Sequence, residues 1–161
     1  MQEKVQITKI QDAHEKTRIV QEVLLDLPDW FGLPESTQNY IREAQALPLW
    51  AAHQAGQLLG FVTLAETSPD TGEVHCMGVK RAFHRQGIGR ALIRELERFA
   101  EDKYIFLQVK TVDEGHYEAY DQTIAFYRSL GFYKLQVFPS LWDEWNPCLV
   151  MVKALDSPSA P

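Results

Sequence analysis

The sequence is short of cysteine, of basic charge and of long apolar runs, and each shortage narrows what the protein can be. Only two cysteines occur, Cys76 and Cys148. They lie far apart inside apolar, strand-like segments, so they read as buried free thiols of a reducing compartment and not as a disulfide framework. A two-cysteine zinc site needs further ligands at short spacing, and the sequence offers none, so no metal is expected. Lysine and arginine number 16 against 22 acidic residues, a formal charge of −6. Binding to nucleic acid through bulk electrostatics is thereby disfavoured. No apolar stretch approaches the ~18 residues needed to span a bilayer, and no membrane partner is expected. The first ten residues carry Glu3, Lys4 and Lys9 and lack the apolar centre of a secretory signal, so a cytoplasmic location is expected. Internal repeats are absent. Low complexity is confined to residues 156–161, which read as a short flexible tail.

What is present is an ordinary globular composition. The chain has 161 residues, 45% of them apolar and 24% charged, which suits a single domain over residues 1–155 with a sizeable core. Val5, Ile7 and Ile10 alternate as in a first strand. Residues 12–25 repeat apolar side chains at helical spacing behind Asp12, an N-cap residue, and Pro28 closes that helix. A shorter helix is predicted over 35–46. Strands over 49–53 and 58–65 flank Gln54-Ala55-Gly56-Gln57, a hairpin signal. A turn at 68–72 leads to a strand over 73–79. Ile88, Leu92, Leu96 and Phe99 mark an amphipathic helix over 87–102. A strand over 104–112, a helix over 118–130 ended by Gly131, and strands over 134–138 and 148–153 complete the chain. The order β-α-α-β-β-β-α-β-α-β-β is an α/β class chain with a mixed sheet flanked by helices.

The most informative stretch runs from Val79 to Leu92. A strand ends, a basic loop follows, and Gly87 and Gly89 open a long helix. The first turn of a helix presents unpaired N–H groups and a partial positive charge, a natural anion site to which Arg85 and Arg90 add. A dinucleotide loop would need glycine where Leu92 stands. A Walker loop would need lysine and a hydroxyl residue after Gly89. Both readings fail.

The stretch His84-Arg85-Gln86-Gly87-Ile88-Gly89 resembles instead the Gln/Arg-x-x-Gly-x-Gly/Ala signature of the GNAT superfamily of acyl-CoA-dependent N-acetyltransferases, with His84 replacing Gln or Arg at its first position. The element order is also similar to that family's, to about Lys153. Tyr127-Arg128-Ser129-Leu130-Gly131-Phe132 resembles the family's second signature, a helix ending Tyr-x-x-x-Gly-Phe. Tyr120 stands where many members carry an asparagine that contacts coenzyme A.

The resemblance implies a mostly antiparallel seven-stranded sheet with about four helices, acetyl-CoA as acyl donor, and a primary amine, small molecule or protein, as acceptor. It implies that the backbone of Met77, Gly78 and Val79 and the loop Arg85, Gln86, Gly87, Ile88, Gly89 and Arg90 hold the donor, with Gly78 able to carry a bulge that splays the strands. It makes Tyr127 the candidate general acid and Glu73, fourteen residues before Gly87, the first candidate base. His75 and His116 are alternatives, since histidine titrates near neutrality. The acceptor side draws on the first two helices and the last hairpin, which supply Trp30, Phe31, Trp142 and Trp145. Glu114, His116 and His75 join them as substrate-binding candidates. A homodimer is compatible with the resemblance. Transfer is expected to be direct, because neither cysteine stands in a nucleophile setting. The runner-up is an acyl-CoA-binding module without catalysis.

Overall fold

The computed structural model describes residues 3–156. The expected tail falls almost wholly on 157–161, outside the described residues. Seven strands form one sheet in the order β1-β2-β3-β4-β5-β7-β6. The strands are β1 (Gln6–Ile10), β2 (Leu49–Gln54), β3 (Gln57–Ser68), β4 (Thr71–Val79), β5 (Phe106–Val112), β6 (Tyr133–Asp143) and β7 (Asn146–Ala154). The helices are α1 (Ala13–Leu25), α2 (Pro34–Glu43), α3 (Ile88–Ala100) and α4 (Glu118–Ser129). β4 and β5 run parallel; the β1–β2, β2–β3, β5–β7 and β6–β7 pairs run antiparallel. No described helix is long and apolar enough to cross a membrane.

The chain forms two compact units. One comprises the residues up to Ala65 together with His75–Phe99; the other comprises Glu66–Val74 and the residues from Ala100 onward. In the first unit α1 begins where expected, because the Asp12 carboxylate accepts from the Glu15 N–H at 2.9 Å. Ile19, Val20, Val23 and Leu24 are fully buried and join Leu49, Ala51, Phe61 and Cys76 in one core cluster. Each such side chain contributes about 1.5–3 kcal/mol by leaving water. Pro34 opens α2 at a position where the missing N–H costs nothing. Ala55 and Gly56, both with positive φ, turn β2 into β3 in two residues.

In the second unit α4 ends as a complete Schellman motif. The Phe132 N–H donates to the Tyr127 carbonyl and the Gly131 N–H to that of Arg128, both at 3.1 Å, with Gly131 at φ +94°. Lys153 also donates to the Leu130 carbonyl at 2.8 Å. The last hairpin departs from expectation. In place of a nine-residue loop over 139–147, β6 continues to Asp143 and β7 starts at Asn146, with a register break between Phe138 and Asp143. β6 is an edge strand, and an edge strand tolerates Pro139 without losing a ladder bond.

Candidate functional site

The loop from Lys80 to Gly89 is held from behind. The Lys80 N–H donates to the Leu59 carbonyl at 2.8 Å, and the Lys80 ammonium pairs with Glu22 at 2.6 Å. Arg81 donates its N–H to Asp26 at 2.7 Å and its guanidinium to Asp29 at 2.9 Å. His84 is anchored to the strand: Nε2–H donates to the Val79 carbonyl at 2.6 Å, and Trp30 meets the ring edge-on at 5.7 Å. Here the residue that departs from the signature pins the loop to the strand it leaves.

Two left-handed residues then deliver the chain into α3, Arg85 at φ +63° and Gly87 at φ +80°. The Ala91 N–H donates to the Gly87 carbonyl, so Gly87 caps the helix and α3 opens with its positive dipole end at this turn. A Cβ on Gly87 would meet nothing within 4 Å, and the segment from His84 to Gly87 is exposed. A cradle of backbone donors with open space in front of it fits a pyrophosphate.

Gly78 has a packing reason. A Cβ there would come within 2.9 Å of Leu27 and of Val23, so glycine lets α1 lie close on β4. The β4–β5 ladder covers only Thr71–Val74 against Phe106–Val109, while β4 continues to Val79 through Met77 and Gly78. In β5, Thr111 Oγ1 is buried and lacks a hydrogen-bond partner among the described residues. A buried orphan of that kind is commonly met by water or a bound molecule.

Glu73 is buried. It stands opposite Gln108, whose Nε2 donates to Oε1 at 3.0 Å, and Lys110, two residues on, reaches the same oxygen at 3.3 Å. Oε2 receives neither. His75 faces α2: its Nε2 lies 2.8 Å from Glu43 Oε2, and Tyr40 packs edge-on to its ring at 5.4 Å. Phe31 in turn meets Tyr40 at 5.9 Å, and Trp30 packs with Phe31 against the core cluster. Phe31 and His75 are therefore joined through Tyr40, while Trp30 meets His84; Tyr40 and Glu43 are neighbours of His75 that the sequence reading missed. The i, i+3 spacing of Tyr40 and Glu43 on a helix was the available signal.

In the other unit, Tyr127 is buried, with Phe126 and Phe132 edge-on to its ring at 5.2 and 5.4 Å. Glu114 is paired with Lys134, and His116 is exposed in the loop before α4. Trp142 and Trp145 stand exposed at the β6–β7 turn, where Asp143 accepts the Trp145 and Asn146 N–H groups. Those bonds, with the Asn146 side-chain amide first among them, hold the Asp143 carboxyl below its usual range. Both cysteines are free and buried, and burial pushes both thiols up. Among the described residues no group of His, Cys, Asp and Glu is placed to hold a metal ion.

Residues 16–132 match the family model described as the acetyltransferase (GNAT) family. The chain belongs to the GNAT family. It is 38% identical over 87 residues to the N-alpha-acetyltransferase RimI of Mycobacterium tuberculosis, a stretch that is 52% of this chain and 51% of that protein. The chain thus spans about half the length of the curated relative it matches. Among solved structures, a GNAT acetyltransferase from Elizabethkingia anophelis with acetyl-CoA bound shares its fold at a TM-score of 0.71 and 18% identity, over 94% of this chain and 98% of that one. An aminoglycoside 6′-acetyltransferase of type Ii does so at 0.74 and 20%, over 95% and 99%. The GNAT matches carry the seven-stranded fold over nearly all of this chain, with the loop and Tyr127 inside the family segment.

Proposed function

We propose that this GNAT protein moves an acetyl group from acetyl-CoA to a primary amine, directly, with donor and acceptor bound together. The observation that carries the reading is the exposed turn at Arg85 and Gly87, both at positive φ, that leads directly into the amino end of α3. Arg85, Gln86, Gly87, Ile88, Gly89 and Arg90 would hold the donor's pyrophosphate. The backbone of Met77, Gly78 and Val79 would take its pantetheine arm as an added strand. Once bound, acetyl-CoA supplies an activated thioester, and a backbone N–H near Val79 is the donor available to polarise its carbonyl.

The protein's own work is with protons. A lysine-like amine, pKa ~10.4, arrives protonated. Two side chains of β4 can relieve it, Glu73 and His75, and the resemblance assigns the role to Glu73. The leaving thiolate, whose conjugate acid has a pKa near ~8.5, is protonated by the Tyr127 hydroxyl. Buried thiols with raised pKa give no nucleophile for an acetyl-enzyme, which supports direct transfer. Trp30, Phe31 and His75, and in the other unit Glu114, His116, Trp142 and Trp145, supply rings and acids suited to a cationic amine. The family segment draws on both units, in keeping with a single functional domain. A second copy would cover the β6 edge, where Tyr133, Leu135, Leu141 and Trp142 are exposed.

The test is release of CoA thiol from acetyl-CoA against a panel of amines, with intact-mass analysis of the protein. Amine-dependent release without an acetylated protein intermediate is expected. Tight donor binding with no release on any amine would overturn the enzymatic reading, and an acetylated cysteine would overturn direct transfer.

A further inference from the structure

The β4 pair of candidates can be separated by what surrounds each. Glu73 spends one carboxylate oxygen on Gln108 and Lys110 of the neighbouring strand, the position of a carboxylate that ties a ladder together. His75 is arranged differently. Its Nε2 is 2.8 Å from a carboxylate oxygen of Glu43, the last residue of α2. An ionised carboxylate only accepts, so Nε2 carries the hydrogen, and the neutral ring keeps its lone pair on Nδ1. Among the described residues none hydrogen-bonds Nδ1. The ring plane is fixed by Tyr40 at an interplanar angle of 75°, and Tyr40 is braced by Phe31 at 90°. His75 is 17% exposed and Glu43 49%, so the pair is sheltered at the imidazole and open to water at the carboxylate.

A base held in one tautomer by a carboxylate behind it, with its lone pair unengaged, is the geometry of a general base. We infer that His75 takes the proton of the acceptor ammonium at Nδ1 and that Glu43 is its positioning residue, an inference that rests on the acetyl-transfer reading above and sharpens it. The ammonium N–H bond breaks as the Nδ1–H bond forms. The resulting imidazolium is paired with the Glu43 carboxylate and returns the proton to water. The neutral amine then forms its C–N bond as the thioester C–S bond breaks; the Tyr127 hydroxyl protonates the departing thiolate, and the second proton the nitrogen sheds replaces the one Tyr127 gave, so the amide, CoA thiol and one proton to water result. Glu73 is left as a structural carboxylate of the β4–β5 ladder.

Two measurements decide this. The first is ¹⁵N NMR of the imidazole in the full chain near neutral pH. The His75 ring should show one tautomer, protonated at Nε2, and Glu43→Ala should give a mixture of both. A ring protonated at Nδ1 in the unaltered protein overturns the inference. The second is CoA release with benzylamine, spermidine and a peptide with a free α-amine as probes. His75→Ala should lower kcat on the order of 10²-fold with donor Kd unchanged, and imidazole should restore part of it, which a merely structural role would not allow. Glu73→Gln should lower kcat by less than His75→Ala does, and imidazole should not restore it. If Glu73→Gln is the crippled variant and His75→Ala is not, the inference fails and acetyl transfer stands. If the unaltered protein releases no CoA with any probe, the acetyl-transfer reading fails, and the inference that rests on it falls too, whatever the ring tautomer.

Discussion

Gly87 concentrates the donor-binding claim in one residue. Its φ of +80° is costly for any side chain, yet a Cβ there would touch nothing in the protein. Gly87→Val should therefore strain one exposed turn by about 1–3 kcal/mol while placing a branched side chain in the phosphate cradle. The expected result is a modest fall in thermal midpoint and a large loss of acetyl-CoA affinity, read by calorimetry; unchanged affinity would remove the cradle from the site. Tyr127 makes the complementary case. Phenylalanine preserves its packing on Phe126 and Phe132, so Tyr127→Phe should lower kcat on the order of 10²-fold and leave donor Kd alone. For the cysteines, the raised thiol pKa values predict that iodoacetamide labels neither Cys76 nor Cys148 in the folded protein at pH 8 and labels both in denaturant. At this scale the sequence reading was uneven. The types and order of the signature residues were legible, because they are local. The partners of Glu73 and His75 were not, because Lys110 and Glu43 arrive by strand register and helix packing.

Among the elements, α4 shows why a short motif is readable. Tyr127, Gly131 and Phe132 are C3, C′ and C″ of one Schellman stop, so the hydrogen bonds and the Tyr127–Phe132 contact are set by local spacing. Gly131→Ala puts a Cβ 3.5 Å from Lys153 at a φ of +94°. It should cost about 1–2 kcal/mol in urea denaturation. The β6–β7 hairpin was not readable. Pro139 and Pro147 read as loop residues, and only the edge position of β6 and the Asp143 turn make room for a longer ladder. Asp143 has its carboxyl pKa lowered in the folded protein by Asn146 and Trp145. Its contribution is therefore fully present above the ordinary aspartate range and is lost as pH falls through the lower folded value. Amide exchange at Trp145 and Asn146 should be slow at pH 6 relative to the intrinsic rate, and that protection should fade only in strong acid.

For the whole molecule, strand order and helix count were legible because alternation, helical spacing and turn residues agreed along most of the chain. The sheet order was not written in any local pattern; placing β7 between β5 and β6 depends on the long-range pairing of Thr111 with Leu149 and its neighbours. The fully buried side chains carry the stability. Leu96→Ala in α3 should cost 2–5 kcal/mol, on the scale of large-to-small core substitutions. That cost is far larger than for any exposed ion pair of the loop, and it separates loss of fold from loss of donor binding.

The most direct test of the account is calorimetric titration of the full chain with acetyl-CoA, with CoA and NADP as comparison ligands and Gly87→Val as the control protein. Saturable one-to-one binding of acetyl-CoA and CoA is expected, with weak or absent binding of NADP and loss of the signal in a Gly87→Val protein that still unfolds cooperatively. Absence of acetyl-CoA binding to the unaltered protein, or equal binding by the Gly87→Val protein, would contradict it.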